Sequence, residues 1–127
     1  MSYDKESIID TLLQINESID HIEQWSQDIK SGDDFACSPD GMKTLAAVCM
    51  LLEAIGEGVK KIEKHTDQDL LGTVCPEIPW RSITGMRNHI AHGYFNIDAD
   101  FVYDVIANDL HPLKEAVGRV IAYIEKQ

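Results

Sequence analysis

Residues 4–30 read DKESIIDTLLQINESIDHIEQWSQDIK, and the spacing of their apolar side chains decides the class of fold. Ile8, Leu12, Ile15, Ile19, Ile22, Trp25 and Ile29 recur at steps of three and four, the period of one buried stripe on an α-helix. The spacing predicts a helix from about residue 4 to residue 30, ended by Gly32 and the Asp33-Asp34 pair. Ser38 followed by Pro39 is an N-cap with proline at the first helical position. It opens a second helix to about residue 65, where Leu45, Val48, Leu52, Ile55, Val59 and Ile62 repeat the pattern. Gly56 and Gly58 lie inside that helix at a cost in propensity, and their missing side chains let a neighbouring helix come close.

Residues 66–79 carry Gly72, Pro76 and Pro79 and read as a loop. A third, shorter helix is expected over 80–93, with Gly93 able to end it. Asp98 is an N-cap for a last helical segment over 99–126, in which Val102, Val105, Leu110, Leu113, Val117, Val120 and Ile124 face inward. Pro112 should kink or split that segment near Asp109 to His111. No stretch alternates with period two, so the chain reads as all-α, an antiparallel bundle of four to five helices over a single domain, 1–127.

Composition narrows the functional classes. With 44% hydrophobic and 26% charged residues the chain has the balance of a globular protein. No apolar run approaches the ~20 residues a membrane span needs, and the polar start Met1-Ser2-Tyr3-Asp4 does not read as a signal peptide. Cys37, Cys49 and Cys75 are odd in number, widely spaced and without a Cys-x-x-Cys pair, which argues against zinc or redox chemistry and suits a cytoplasmic protein. The net charge of −11, from 11 basic and 22 acidic residues, argues against binding an extended nucleic acid, which usually draws on a basic face. Lys60, Lys61, Lys64 and Arg81 flank the segment 87–94 in sequence, with Arg87 inside it. Either a local positive pocket or simple placement of cations at a helix C-terminus accounts for the lysines. An acidic body also suits a basic protein partner.

Chemistry concentrates in Arg87-Asn88-His89-Ile90-Ala91-His92-Gly93-Tyr94. Arginine is a permanent cation whose planar fork fits phosphate oxygens. Histidine moves protons near neutral pH. At about 100° per residue, Arg87 and His92 point roughly 140° apart on one helix, whereas Asn88 and His92 share a face. A tighter cluster forms if two copies of the helix meet across a two-fold axis. His89, three residues before His92, is placed to face the same cleft, and two histidines at that spacing can look like a metal pair. Bundle metal sites of the di-iron kind want Glu-x-x-His, which this chain lacks, so neither metal nor cofactor is expected.

The run Ile78-Pro79-Trp80-Arg81-Ser82-Ile83-Thr84-Gly85-Met86-Arg87-Asn88-His89-Ile90-Ala91-His92-Gly93-Tyr94-Phe95 resembles the signature segment of the HEPN superfamily and, within it, of the HepT-like toxins. The resemblance implies an all-α bundle that dimerises with both motifs lining one cleft. It implies metal-independent cleavage of RNA, the ribose 2′-hydroxyl attacking the adjacent phosphate. In that scheme His92 is general base or acid, Arg87 stabilises the charged phosphate, and Asn88 orients His92. Tyr94 corresponds to the tyrosine that accepts adenylate from a nucleotidyltransferase antitoxin. The alternative is a non-catalytic HEPN module that binds a nucleotide or a protein partner through the same cleft.

Overall fold

The computed structural model describes residues 3–66, 69–90 and 96–127. Among these residues the chain forms eight helices and no β-strand. They are α1 (Lys5–Trp25), α2 (Gly32–Ala36), α3 (Pro39–Lys64), α4 (Leu70–Val74), α5 (Trp80–Thr84), α6 (Met86–Ile90), α7 (Ala99–Asn108) and α8 (Leu110–Glu125).

Side-chain caps set several of the starts. Asp4 accepts from the Ser7 N–H at 3.2 Å, Ser38 from Gly41 at 2.9 Å, and Asp98 from Phe101 at 3.0 Å. Each satisfies an amide that the first helical turn leaves without an intrahelical partner. The start of α1 meets the end of α8 through Tyr3 and Gln127, bonded at 2.7 Å, while Asp20 pairs with Lys114 further along. These two helices therefore run antiparallel. Trp25 at the end of α1 lies beside Lys43 and Thr44 at the start of α3, so this pair is antiparallel too. Every inward position expected on the second and last helical segments is buried, and the core runs continuously from Ile8 to Ile124.

Four expectations need correction. The first helix stops at Trp25, where the Ser26 N–H closes on the Ile22 carbonyl. Two successive steps of three carry Trp25 about 100° off the direction of Ile8. It is accordingly 45% exposed and stacks on His21 at 5.4 Å, and Ile29 is only partly buried. Gly32 does not end a helix but opens α2, and it packs so closely on α7 that a Cβ there would meet the Asp100 side chain and lie 2.9 Å from its Cα. The expected loop at 66–79 contains α4, anchored by buried Leu70 and Leu71 and capped by Asp69. The third helix is broken at Gly85 into α5 and α6, and its expected end at Gly93 lies outside the described residues.

The last segment divides where proline predicts. Asp109 separates α7 from α8, and Pro112 sits in the first turn of α8, where a missing N–H costs no intrahelical bond. Gly56 and Gly58 do mark close approaches. A Cβ on Gly56 would stand 2.8 Å from the Ile83 carbonyl oxygen of α5, and one on Gly58 would stand 3.2 Å from Ile15 of α1.

Candidate active site

The α5–Gly85–α6 segment carries Arg87 and Asn88 of the expected site, and three contacts fix it. The Trp80 indole N–H donates to the Cys75 carbonyl at 2.9 Å inside the core. Gly56 lets the Ile83 carbonyl lie directly on α3. The Gly85 N–H then closes on Arg81, while the Asn88 N–H donates back to the Gly85 carbonyl, both at 3.0 Å. On α6, Met86 and Ile90 are buried four residues apart, which turns Arg87, Asn88 and His89 outward.

Arg87 is exposed and, among the described residues, makes no ion pair or hydrogen bond. Asn88 is likewise exposed beside it. His92 and Tyr94, with Gly93 between them, lie outside the described residues. The flanks of that segment are tied together, since the Asp98 N–H donates to the Ile90 carbonyl at 2.9 Å. The exposed lysines fit the helix-terminus account: Lys61 and Lys64 occupy the last turn of α3, and Lys60 pairs with Glu57 at 3.9 Å.

His89 leads to a feature the sequence did not disclose. Its ring stacks on Phe101 of α7, with centroids 5.7 Å apart and planes at 30°. Both line a cavity of about 450 Å³ between α3, α5, α6, α7 and α8. Buried Leu52, Ile55, Val105 and Leu113 form its floor, while Glu77, Ser82 and Asp109 stand exposed at its edge. Burial, and next the nearby Asp104, push the Asp109 carboxyl above the usual range. Glu77 is held low by its bond to Arg119. Helical spacing could have flagged the pairing of Met86 with His89 on one face, but nothing local points to Phe101. Among the described residues no three His, Cys, Asp or Glu side chains gather where a metal could be held.

A model of the family described as ribonuclease HepT-like matches residues 15–120. The chain is 36% identical over 110 residues to the Thermococcus cleftensis protein named "Probable ribonuclease HepT", covering 87% of this chain and 92% of that one. It is 31% identical over 116 residues to a Methanocaldococcus jannaschii protein whose name joins a gamma-glutamylcyclotransferase to a putative RNase. That match covers 91% of this chain but 48% of the relative, so the chain spans about half of its length. A second protein from that organism, named as a putative RNase, is 32% identical over 81 residues, 64% of this chain and 66% of its own. No solved structure matches the chain.

Proposed function

The chain belongs to the HepT-like ribonuclease family of the HEPN superfamily, and on that premise we propose that it is a metal-independent endoribonuclease toxin silenced by adenylation. The carrying observation is that the side chains of Arg87 and Asn88 stand on the solvent face of α6 without a partner among the described residues, at the head of an Arg-x4-His-x-Tyr run, in a chain of this family. His92 takes the proton of a ribose 2′-hydroxyl, and that oxygen attacks the adjacent phosphorus. The bond from phosphorus to the 5′-oxygen breaks, leaving a 2′,3′-cyclic phosphate. A second histidine, the His92 of another copy in a dimer, returns a proton to the departing oxygen. Arg87 stabilises the charge that builds on the phosphoryl oxygens, and Asn88 orients His92.

Tyr94 is the regulatory residue in this reading. Its phenol oxygen attacks the α-phosphate of ATP on a nucleotidyltransferase antitoxin, pyrophosphate leaves, and the adenylate stays beside Arg87. Added anionic charge there excludes RNA. Expression alone and together with an adjacent nucleotidyltransferase gene, with growth compared, tests the pair. Co-incubation with that enzyme, ATP and magnesium should add adenylate to Tyr94, mapped by peptide mass, and add none to Tyr94→Phe. The adenylated protein should no longer cleave RNA. Adenylate on another residue, or full activity after modification, removes Tyr94 from the scheme.

A further inference from the structure

The cavity behind His89 has no part in the chemistry assigned to Arg87, Asn88, His92 and Tyr94, yet His89 in its lining follows Arg87 and Asn88 on α6. On α6, His89 is the neighbour of Asn88, about 100° further round the helix. We propose that this cavity is the base-recognition pocket of the ribonuclease, taking one unpaired guanine of the RNA stacked on the His89–Phe101 pair and held at its Watson–Crick edge by Asp109. The proposal rests on the ribonuclease reading given above.

Size and polarity fit a flat neutral ring. A cavity of about 450 Å³ is in the range of small-ligand sites, its floor is apolar, and its stacked pair of rings gives a base a platform. The carboxylates at its edge repel phosphate, which Arg87 attracts outside. Only one of those carboxylates is uncommitted. Glu77 is paired with Arg119, and neighbouring Asp104 already accepts from Asn108 at 2.8 Å. The Asp109 carboxylate caps no helix and, among the described residues, accepts no hydrogen bond; the residue's backbone carbonyl alone accepts, from Leu113.

A carboxylate is an acceptor with two oxygens, so it selects two adjacent donors. Guanine alone presents that pair, N1–H beside the N2 amino group. Adenine and cytosine set a ring-nitrogen acceptor next to their amino group, and uracil flanks its N–H with carbonyl oxygens.

Fluorescence anisotropy with 2′-O-methyl oligoribonucleotides, which bind but cannot be cut, reads the pocket directly. The full-length protein should bind an oligonucleotide carrying one guanine roughly tenfold more tightly than the same strand with an abasic residue there. Asp109→Asn should lose the preference for guanine over adenine. His89→Ala should weaken guanine binding, and His89→Phe should restore it by keeping a stacking ring. The side chains at both positions are exposed, and thermal melts check that the variants fold. Equal binding of guanine and abasic strands overturns the proposal. If cleavage of the matching RNA is also base-independent but depends on Arg87, the ribonuclease reading stands and the pocket assignment falls. Guanine-dependent binding without cleavage of any RNA keeps the pocket and removes the catalytic reading. Variants that change the protein's mass in light scattering while leaving RNA binding intact would show that a protein chain fills the cavity, and also overturn the proposal.

Discussion

Arg87 has solvent on its outer side and buried Met86 and Ile90 on its inner side, and in the proposed reading its guanidinium serves the RNA and not the fold. Arg87→Ala should therefore leave stability within about 0.5 kcal/mol while lowering RNA cleavage on the order of a hundredfold or more. His92→Ala should lower cleavage similarly, and chelation with EDTA should affect neither wild type nor variants. Thermal melts beside cleavage assays decide this, and wild-type rates in both variants would end the catalytic reading. The thiols give an independent check on the core. Burial, reinforced by Glu53, pushes the Cys49 thiol up to about 11, whereas Cys37 is exposed. An alkylating reagent at pH 8 should label Cys37 and spare Cys49 until the protein unfolds. Because the folded pKa is raised above the ordinary 9.0, the folded state holds this proton more tightly. Its contribution to stability is complete below pH 9 and is lost as pH rises to about 11, so wild type should lose more stability over that window than Cys49→Val. At this scale the exposed face of the motif was legible, since burying Met86 and Ile90 leaves Arg87 and Asn88 nowhere else to go. The partnership of His89 with Phe101 was not, because two rings twelve residues apart meet only through the packing of α6 on α7.

Helices carried by long apolar stripes were legible nearly to their ends, and the failures have two physical sources. Trp25 drifts off the stripe through two successive steps of three, while Gly32 and the α5–Gly85–α6 segment are placed by tertiary contacts with Asp100 and Gly56 that no local rule contains. The break at Gly85 matters most, because α6, which carries Arg87, starts there. What holds that segment is Gly56, whose missing side chain lets the Ile83 carbonyl seat on α3. Gly56→Ala would put a methyl group 2.8 Å from that oxygen, and the atom it meets is backbone. A loss of about 1–3 kcal/mol is expected, together with reduced cleavage as the segment shifts. Gly118 gives the opposite result. It lies in the middle of α8, exposed, with nothing within 4 Å of an added Cβ. Gly118→Ala should raise stability by about 0.8–1.0 kcal/mol and leave cleavage unchanged. Denaturant melts of the two variants settle the pair, and a neutral Gly56→Ala would mean that α5 is not seated as described.

A whole molecule of net charge −11 that acts on a polyanion must concentrate its attraction at a few points. The expected arrangement is a dimer in which the two copies of Arg87 face one cleft, and light scattering should give twice the chain mass at working concentration. Each copy repels the other, so added salt should strengthen the dimer until the charges are screened within about 8–10 Å. RNA binding should show the same economy of contact. Single-stranded RNA releases about 0.7 counterions per phosphate neutralised, so two arginines predict a slope of log K against log salt near −1.4. Screening of the repulsion between the acidic body and the RNA flattens it further. A protein with a broad basic face would instead show a slope of about −4 or steeper. Titrations of an uncleavable oligoribonucleotide across salt concentrations, at protein concentrations that hold the dimer, measure the slope. Arg87→Ala should remove most of what salt dependence there is. A steep slope that survives in Arg87→Ala would mean that Lys60, Lys61 and Lys64 at the end of α3 form the docking surface, and that the motif is not where RNA is held.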